Sequence, residues 1–402
     1  MESLTEKSRA TIEFELRWQS TKAAHTDCLW AEKVSLWRDC FPGSLCSQLL
    51  GLREGERASQ LTRPESFSQP YTDRKIVRVK PYQFEGKVAG NKPMIPRQGR
   101  FYPQGLLRGV SGVFPVSNAP CRYLGQDKDL LVFDLNHPLS NTTLELTAHV
   151  RKIEQKLVER GGRCEDWLAA VTDNGPGMQA RHGEITTDFF NPAGFRRSNE
   201  EADHLFYQQP RLVQHLDSTA EETLSRLYGR IIEPGMAVLD LMGSWTSHLP
   251  DDMETAGLTV LGMNKDELTR NMQATDIVVH DLNGNPSLPF ADGSFDVVLC
   301  TVSIEYLVAP LAVFREAARI LRRDGLLLVS FSNRWFAPKV ISLWPELHDF
   351  ERMGFVLELF LQSGNFFDLQ TFSRRGLPRP ADDRHAELPY SDPVFLVWGR
   401  KR

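Results

Sequence analysis

The second half of the chain alternates helical and strand-like segments in a pattern that allows few folds. From Thr219 onward, apolar residues recur at helical spacing, then in short continuous runs, then at helical spacing again. Because parallel strands need a crossover between them, these repeated units predict a mostly parallel sheet covered on both faces. We predict helices at 220–232 and 311–321, strands at 238–241, 259–263, 277–280, 295–300 and 326–331, and an edge strand at Val394–Trp398.

The first half has a different pattern, with short alternating runs separated by Gly, Pro, Asn and Asp from Thr11 to about Ile153. This alternation is typical of strands with one buried face. One helix is predicted over Ser44–Leu52, where leucines recur at helical spacing. The 402 residues are therefore predicted to form a β-rich domain at 10–153, a linker with partly ordered pieces at 154–211, and an α/β domain at 212–402.

Composition excludes several classes of protein. The formal net charge of -5 and the absence of a dense Lys/Arg run argue against nucleic acid as a partner. The polar start of the chain and the lack of a long apolar window argue against secretion and against a membrane partner. The six cysteines show no spacing typical of a metal site, so we expect no metal, reduced structural thiols and a cytoplasmic location. A redox or soft-metal role for Cys40 and Cys46 is the alternative.

Several short motifs of the first half carry a resemblance to a known family. They are Phe41–Gly43 with Leu49–Glu56, then Arg63–Phe67 and Pro81–Gly86, and, as the most specific, Asp134–Leu139. With these motifs, residues 10–153 resemble the SlyD-type FKBP prolyl isomerases. The resemblance implies an α+β domain with a flap domain inserted at about 72–138, and prolyl-containing peptides or unfolded protein as partners.

Prolyl isomerisation needs a dry apolar pocket more than acid–base chemistry, because the barrier of roughly 20 kcal/mol comes from amide resonance. The usual aspartate of the family is replaced by Ala31, and the usual tyrosine of a turn is also replaced. An active isomerase, a peptide-binding or chaperone-like domain, and ordinary core packing of the same side chains are the three interpretations. The positions that match the family's pocket are Trp30, Phe41, Leu45 and Phe67.

Two motifs in the second half carry a second resemblance. Leu288–Val298 is typical of a polar turn followed by an apolar strand. Glu316–Gly325 is typical of the end of a helix before another strand. With these motifs, residues 212–402 resemble the class I S-adenosylmethionine-dependent methyltransferases. The resemblance implies a doubly wound, Rossmann-like sheet with S-adenosyl-L-methionine as the cofactor.

The loop after the first strand of this domain departs from the family. A glycine-rich loop is usual there, but the chain has Met242-Gly243-Ser244-Trp245. An acidic residue that binds the ribose is usual after the second strand, but the chain has Asn264, which would accept one hydrogen bond and donate another. These departures predict an altered cofactor pocket. The residues that match cofactor-binding positions are Asp240, Gly243, Ser244, Trp245, Asn264, Asp281 and Leu282.

Candidate catalytic residues lie where ligands bind to such sheets, beyond the carboxyl ends of the strands. Glu305 and Tyr306 follow the fourth strand, and His215 precedes the first. Glu305 is either a base or a solvated loop residue, and His215 either part of a lid or structural. We predict methyl transfer to a small-molecule acceptor. The alternative is a folding helper whose methyltransferase fold is not catalytic.

Overall fold

The computed structural model describes residues 3–67, 69–88, 92–155, 162–173 and 175–402. The chain forms two compact units that divide between Phe190 and Asn191. The segment 154–211, predicted as a linker, therefore contributes to both units. Within it, residues 156–161 and 174 lie outside the described residues.

The described part of the N-terminal unit is rich in strands, as the alternating pattern predicts. On one strand Ile12, Phe14 and Leu16 all point into the core, opposite Val150, Ala148 and Leu146 of its neighbour. The main sheet has the order β2-β1-β10-β3. The elements are β1 (Ser8–Gln19), β2 (Ala24–Ser35), α1 (Leu45–Leu49), β3 (Arg57–Thr62), β4 (Ile76–Val79), β5 (Lys87–Val88), β6 (Lys92–Pro93), β7 (Phe101–Pro103), β8 (Pro120–Asp127), β9 (Leu130–Asp134), β10 (Leu144–Gln155) and α2 (Trp167–Thr172).

The chain between β3 and β10 builds a second sheet with its own core. Its strand order is β4-β9-β8-β7, and Phe84, Tyr102 and Phe133 pack together beneath it. This sheet lies within the predicted insertion at about 72–138, of which residues 89–91 lie outside the described residues. Helix α2, from the segment predicted as a linker, packs Trp167 into the core of the main sheet.

Residues 191–402 are all described and form a seven-stranded, mostly parallel sheet flanked by helices. Strand β14 is apolar on both faces, as expected for a central parallel strand. The elements are α3 (Asp203–Phe206), α4 (Ser218–Ile231), β11 (Ala237–Leu241), β12 (Gly257–Gly262), α5 (Lys265–Thr269), β13 (Asp276–Val279), β14 (Phe295–Thr301), α6 (Pro310–Ile320), β15 (Leu321–Phe331), α7 (Leu343–Glu346), α8 (Asp349–Ser363), β16 (Phe366–Arg375) and β17 (Val394–Lys401).

The strand order β13-β12-β11-β14-β15-β17-β16 confirms the predicted doubly wound α/β architecture. One placement was wrong. The run Val394–Trp398 lies in β17, which pairs antiparallel with β15 and with β16, so it is an internal strand and not an edge strand. The order of the strands reverses between β11 and β14, and crevices at such a switch point are where ligands bind.

Among the described residues, none of the helices is long and apolar enough to cross a membrane.

Candidate functional site

A cavity opens at the carboxyl ends of β11, β12 and β14, beside the switch point. We call it the cofactor cavity. All seven predicted cofactor-binding residues line it. They lie in three short segments of the sequence, at 240–245, 264 and 281–282. Its lining includes Asp240, Gly243, Ser244, Trp245, Asn264, Asp281, Leu282, His215 and Tyr306.

Asp240 is the penultimate residue of β11 and lines this cavity. Its side chain is buried and accepts a hydrogen bond from the Ser247 hydroxyl, while its Oδ1 atom has no partner. Burial raises the pKa of Asp240 to about 7, because a desolvated carboxylate is poorly stabilised. A buried carboxyl oxygen without a partner at the wall of a cavity is a ready acceptor for a ligand's hydrogen-bond donor or positive charge.

At both glycines of the cavity, a side chain would clash with neighbouring atoms. A Cβ atom on Gly243 would lie 2.5 Å from Asp240 Oδ2 and 2.6 Å from a methyl group of Val260. A Cβ atom on Gly262 would collide with the carbonyl oxygen of Gly243. Close approach of the β11 and β12 ends therefore depends on both positions, although the loop contains no glycine-rich run.

The loop after β11 is held by side-chain hydrogen bonds. The Asn271 amide donates to the Ser244 carbonyl at 3.0 Å and to the Ser247 hydroxyl at 2.9 Å. The Ser244 hydroxyl donates to a carboxyl oxygen of Glu267 at 2.6 Å. These bonds fix the loop, and they explain how it keeps one shape with a single glycine between Leu241 and Leu249.

Three of the seven side-chain-bearing residues that have a positive φ in the described part of the chain lie around the same cavity. Met242, His248 and Val302 have φ of 61°, 55° and 47°, in the left-handed region that side-chain-bearing residues seldom adopt. All three line the cavity. Strained residues persist where the surrounding structure fixes them, and they cluster at ligand sites, so this observation favours a binding function.

Asn264 has a role that the sequence does not suggest. Its Oδ1 atom caps α5 by accepting from the backbone N–H groups of Asp266 and Glu267, at 2.9 and 3.2 Å. Its amide donates to the carbonyl groups of Tyr207 and Gln208, at 2.9 and 3.2 Å. The prediction that the side chain is available to both ribose hydroxyls needs correction, because both ends of the amide already have partners inside the protein.

Asp281 and Leu282 lie at the far side of the cavity. One carboxyl oxygen of Asp281 accepts from the backbone N–H groups of Asn283 and Gly284, at 3.0 and 3.1 Å. Leu282 is buried and presents an apolar surface to the cavity. Asp281 thus both stabilises a turn and lines the cavity.

Aromatic side chains form the wall nearest to His215. The rings of Tyr306 and His215 lie 5.9 and 5.0 Å from that of Phe336, between ring centres. The guanidinium group of Arg211 lies 5.1 Å from the centre of the Phe336 ring and 4.2 Å from that of Phe206. The Nη1 atom of Arg211 is buried without a hydrogen-bond partner. This wall is apolar but carries one positive charge.

The titration of two of these side chains limits what they do. Burial lowers the pKa of His215, so its imidazole is neutral at physiological pH and able to accept a proton. Burial raises the pKa of Tyr306 well above its usual value, and its hydroxyl accepts a hydrogen bond from the Phe336 backbone N–H at 2.8 Å. Tyr306 is therefore a neutral wall residue, in contrast to the predicted catalytic role.

Glu305 does not line the cavity, in contrast to the prediction that it acts at the mouth of the site. It lies in a single 3-10 turn, Ile304–Tyr306, and its side chain is fully buried with neither carboxyl oxygen hydrogen-bonded. Burial raises the pKa of Glu305 to about 8. The 3-10 turn after β14 determines where these side chains lie. It directs the side chain of Glu305 into the protein, while the adjacent Tyr306 faces the cavity.

The carboxyl group of Asp203 anchors the segment before α4, and the sequence patterns did not predict it. Asp203 lines the cavity, receives two hydrogen bonds of 2.8 Å from Arg197 and one of 2.8 Å from Asn283, and pairs with the buried Lys339 at 3.0 Å. Burial opposes ionisation, but these donors lower the pKa of Asp203 below its usual value. No periodicity marks this residue in sequence. Its partners come from positions up to 339, so only the folded chain brings them together.

The predicted prolyl-peptide pocket of the N-terminal unit is not an open group of four side chains. Leu45 and Phe67 are buried in the core of the main sheet, with Phe41 packed against it. Phe41 also lines a shallow cavity beside Cys40, and Trp30 is half-buried with its indole N–H unpartnered. For Leu45 and Phe67 the structure favours the core-packing alternative.

Comparison with known proteins bears on the C-terminal unit. Residues 242–329 match the model of the methyltransferase domain family. The C-terminal unit contains a methyltransferase domain. Its cofactor is S-adenosyl-L-methionine, which the sequence resemblance also implies. The matched segment includes the loop after β11 and the strands β12, β13 and β14, whose carboxyl ends lie at the cavity. It does not include residues 10–153, whose resemblance to the SlyD-type isomerases stays a prediction.

Individual relatives match over short parts of the chain. An uncharacterized methyltransferase of Mycolicibacterium vanbaalenii is 29% identical over 112 residues, which are 26% of this chain and 42% of the relative. A malonyl-[acyl-carrier protein] O-methyltransferase of Geobacter sulfurreducens is 30% identical over 145 residues, which are 33% of this chain and 52% of the relative. The chain thus spans about half or less of the length of these curated relatives.

Two solved structures show the same kind of likeness. A putative methyltransferase of Bacillus halodurans has a TM-score of 0.33 and 13% identity, over 46% of this chain and 99% of its own. A possible histamine N-methyltransferase of Thermotoga maritima has a TM-score of 0.34 and 14% identity, over 46% of this chain and 90% of its own.

The charges of the cofactor cavity fit this cofactor. S-adenosyl-L-methionine carries a positive sulfonium and, at neutral pH, a positive ammonium and a negative carboxylate group, so its net charge is positive. Four carboxyl side chains, Asp203, Asp240, Glu267 and Asp281, line the cavity, against the single guanidinium of Arg211. Together with the unpartnered oxygen of Asp240, this excess of carboxyl groups suits a cationic ligand.

Proposed function

We propose that the C-terminal unit catalyses methyl transfer from S-adenosyl-L-methionine to a small-molecule acceptor. The observation that carries the proposal is the cavity at the switch point of the sheet, where an unpartnered buried carboxyl oxygen of Asp240 lies beside Gly243 and Gly262. The match of residues 242–329 to the methyltransferase domain family supports the same function.

The roles of the side chains follow from their positions. When bound, the cofactor supplies an electrophilic methyl group on a sulfonium sulfur. We assign Asp240 to its cationic end and the Asp281–Leu282 pair to its adenosyl part. The aromatic wall of Tyr306 and Phe336 excludes water from the reacting groups, which is the main demand of an in-line displacement. His215, neutral and at the wall, accepts a proton if the acceptor carries one on its nucleophilic atom.

The nature of the acceptor has one further indication. The Geobacter relative is named as a malonyl-[acyl-carrier protein] O-methyltransferase. We take a small molecule with an oxygen nucleophile as the first acceptor class to test. The alternative is that the domain binds the cofactor without catalysis and that the protein is a folding helper.

A methyl-transfer assay distinguishes these possibilities. The full-length protein is incubated with S-adenosyl-L-methionine carrying a labelled methyl group and with fractionated small-molecule extract, and label in an extracted product is measured. With the cofactor at a concentration below saturation, we expect label transfer by the native protein and about tenfold slower transfer by Asp240→Asn. Cofactor binding without transfer to any fraction, or to added carboxylic acids, would favour the non-catalytic alternative.

Prolyl isomerisation by residues 10–153 needs its own test. A protease-coupled prolyl-peptide assay on the full-length protein measures it, with Phe41→Ala as the variant because Phe41 lines a cavity. Isomerase activity that depends on Phe41 would support the sequence resemblance. Absence of any rate enhancement would leave peptide binding as the remaining function of this unit.

A further inference from the structure

A second cavity adjoins the cofactor cavity and shares its aromatic wall. His215, Val302, Tyr306 and Phe336 line both cavities. The remaining wall comes from the chain after β15 and from the loop between β16 and β17. A molecule in this second cavity, which we call the acceptor cavity, would therefore be separated from the cofactor cavity by at most one layer of side chains.

The two cavities differ in charge. Four carboxyl groups and one guanidinium line the cofactor cavity, whereas the acceptor cavity is lined by the guanidinium groups of Arg334 and Arg384 and by no carboxyl group. His215 adds no charge, because burial and the nearby guanidinium groups of Arg384 and Arg211 lower its pKa even though Glu267 raises it. A cavity with this lining attracts an anion and repels a second cation.

Arg334 and Arg384 differ in whether their guanidinium groups have a partner within the protein. The Nε atom of Arg334 lies 2.8 Å from a carboxyl oxygen of the buried Asp392, which fixes the orientation of its guanidinium group. Arg384 is solvent-exposed, and its guanidinium group has no ion-pair or hydrogen-bond partner in the part of the chain that the structure describes. A planar guanidinium binds a carboxylate or phosphate through paired hydrogen bonds, so an unpaired one at a cavity wall is suited to an anionic ligand.

We propose that the acceptor cavity binds the methyl acceptor and that this acceptor carries an anionic group, a carboxylate or a phosphate ester, which Arg384 and Arg334 hold. The proposal rests on the proposed methyltransferase function. The aromatic rings of Tyr306, Trp335 and Phe336 supply the apolar part of the cavity, so the ligand combines an apolar body with one anionic end. The anion also balances the positive charge of a cofactor bound next to it.

Binding of small probes tests the proposal without knowledge of the natural acceptor. The full-length protein is saturated with S-adenosylhomocysteine, and the affinities of benzoate, phenyl phosphate and the neutral benzamide are measured by ligand-observed NMR. The two anionic probes distinguish a carboxylate from a phosphate ester. We expect at least one of them to bind more tightly than benzamide, and Arg384→Gln to weaken that probe about tenfold, as expected for a charge-assisted hydrogen bond.

The matched control is Arg323→Gln, near the amino-terminal end of β15, whereas the cavities lie at the carboxyl ends of the strands. It should leave all three affinities unchanged. Equal affinity of benzamide and both anions, or equal effects of Arg384→Gln and Arg323→Gln, would overturn the proposal. Saturation with S-adenosylhomocysteine is measured first, so a failure to bind it contradicts the proposed function, whereas normal binding without preference for anions contradicts only this inference.

Discussion

Replacing Asp240 by asparagine should make the C-terminal unit more stable at alkaline pH while weakening its binding of the cofactor. Burial raises the pKa of Asp240 from 3.8 to about 7. The folded chain therefore holds the proton more tightly than the unfolded chain does. The stabilising contribution of this group is complete below about pH 4 and is lost as the pH rises toward 7.

The size of the effect follows from the pKa difference. About three pKa units correspond to about 4 kcal/mol, since each unit is 1.36 kcal/mol. Asparagine has the shape of the protonated carboxyl group but never ionises, so the variant keeps this contribution at all pH values. We expect wild type and Asp240→Asn to have similar free energies of unfolding near pH 4, and the variant to be more stable by about 4 kcal/mol at pH 8.

Hydrogen exchange of the β11 and β14 amide groups measures this free energy for the C-terminal unit alone. Glu305→Gln is the matched control, because burial also raises the pKa of Glu305, to about 8, but its side chain does not line the cofactor cavity. It should change the pH dependence of stability in the same direction and leave cofactor affinity unchanged. If wild type and Asp240→Asn lose equal stability between pH 4 and pH 8, the reasoning about Asp240 is refuted.

Two further predictions concern residues whose sequence interpretation the structure changes. Asn264→Asp should weaken cofactor binding, although it recreates the acidic residue usual at this position. The reason is that a carboxylate would face the carbonyl groups of Tyr207 and Gln208 in place of an amide donor. Calorimetry measures the affinity, and tighter binding would contradict the structural role of Asn264. The Sγ atoms of Cys40 and Cys164 lie 3.7 Å apart and both residues are exposed, so oxidised glutathione should join them in a disulfide and release two reduced glutathione molecules. Peptide mass spectrometry detects the cross-link, and its absence under conditions that oxidise a model dithiol would show that the thiols do not approach each other.

Much of the fold could be predicted because local periodicity reports burial. The strands β11, β12 and β14 and the helices α4 and α6 each have an apolar pattern that is complete within a few residues. Strand β16 and helix α8 were missed. Helix α8 is buried along nearly its whole length, including charged side chains, so it lacks the polar face that marks a surface helix in sequence.

The sequence predicts site residues correctly where the position of the backbone alone places the residue at the cavity. Asp240 lies near the carboxyl end of strand β11 and Gly243 follows that strand, and both line the cavity. Sequence failed for Glu305 and Asn264, whose side-chain directions depend on a turn and on a partner segment 56 residues away. The pairing of Cys40 with Cys164, and not with Cys46, is likewise set by a contact 124 residues apart. Such contacts leave no local pattern.

Calorimetric titration of the full-length protein with S-adenosyl-L-methionine is the most direct test of the central claim, that the cavity beside Asp240 binds this cofactor. We predict one binding site in the wild type and in Glu305→Gln, and an affinity at least about tenfold weaker in Asp240→Asn, because a charge-assisted contact is lost. No heat of binding by the wild type at millimolar cofactor, or equal affinities of the wild type and Asp240→Asn, would contradict the claim.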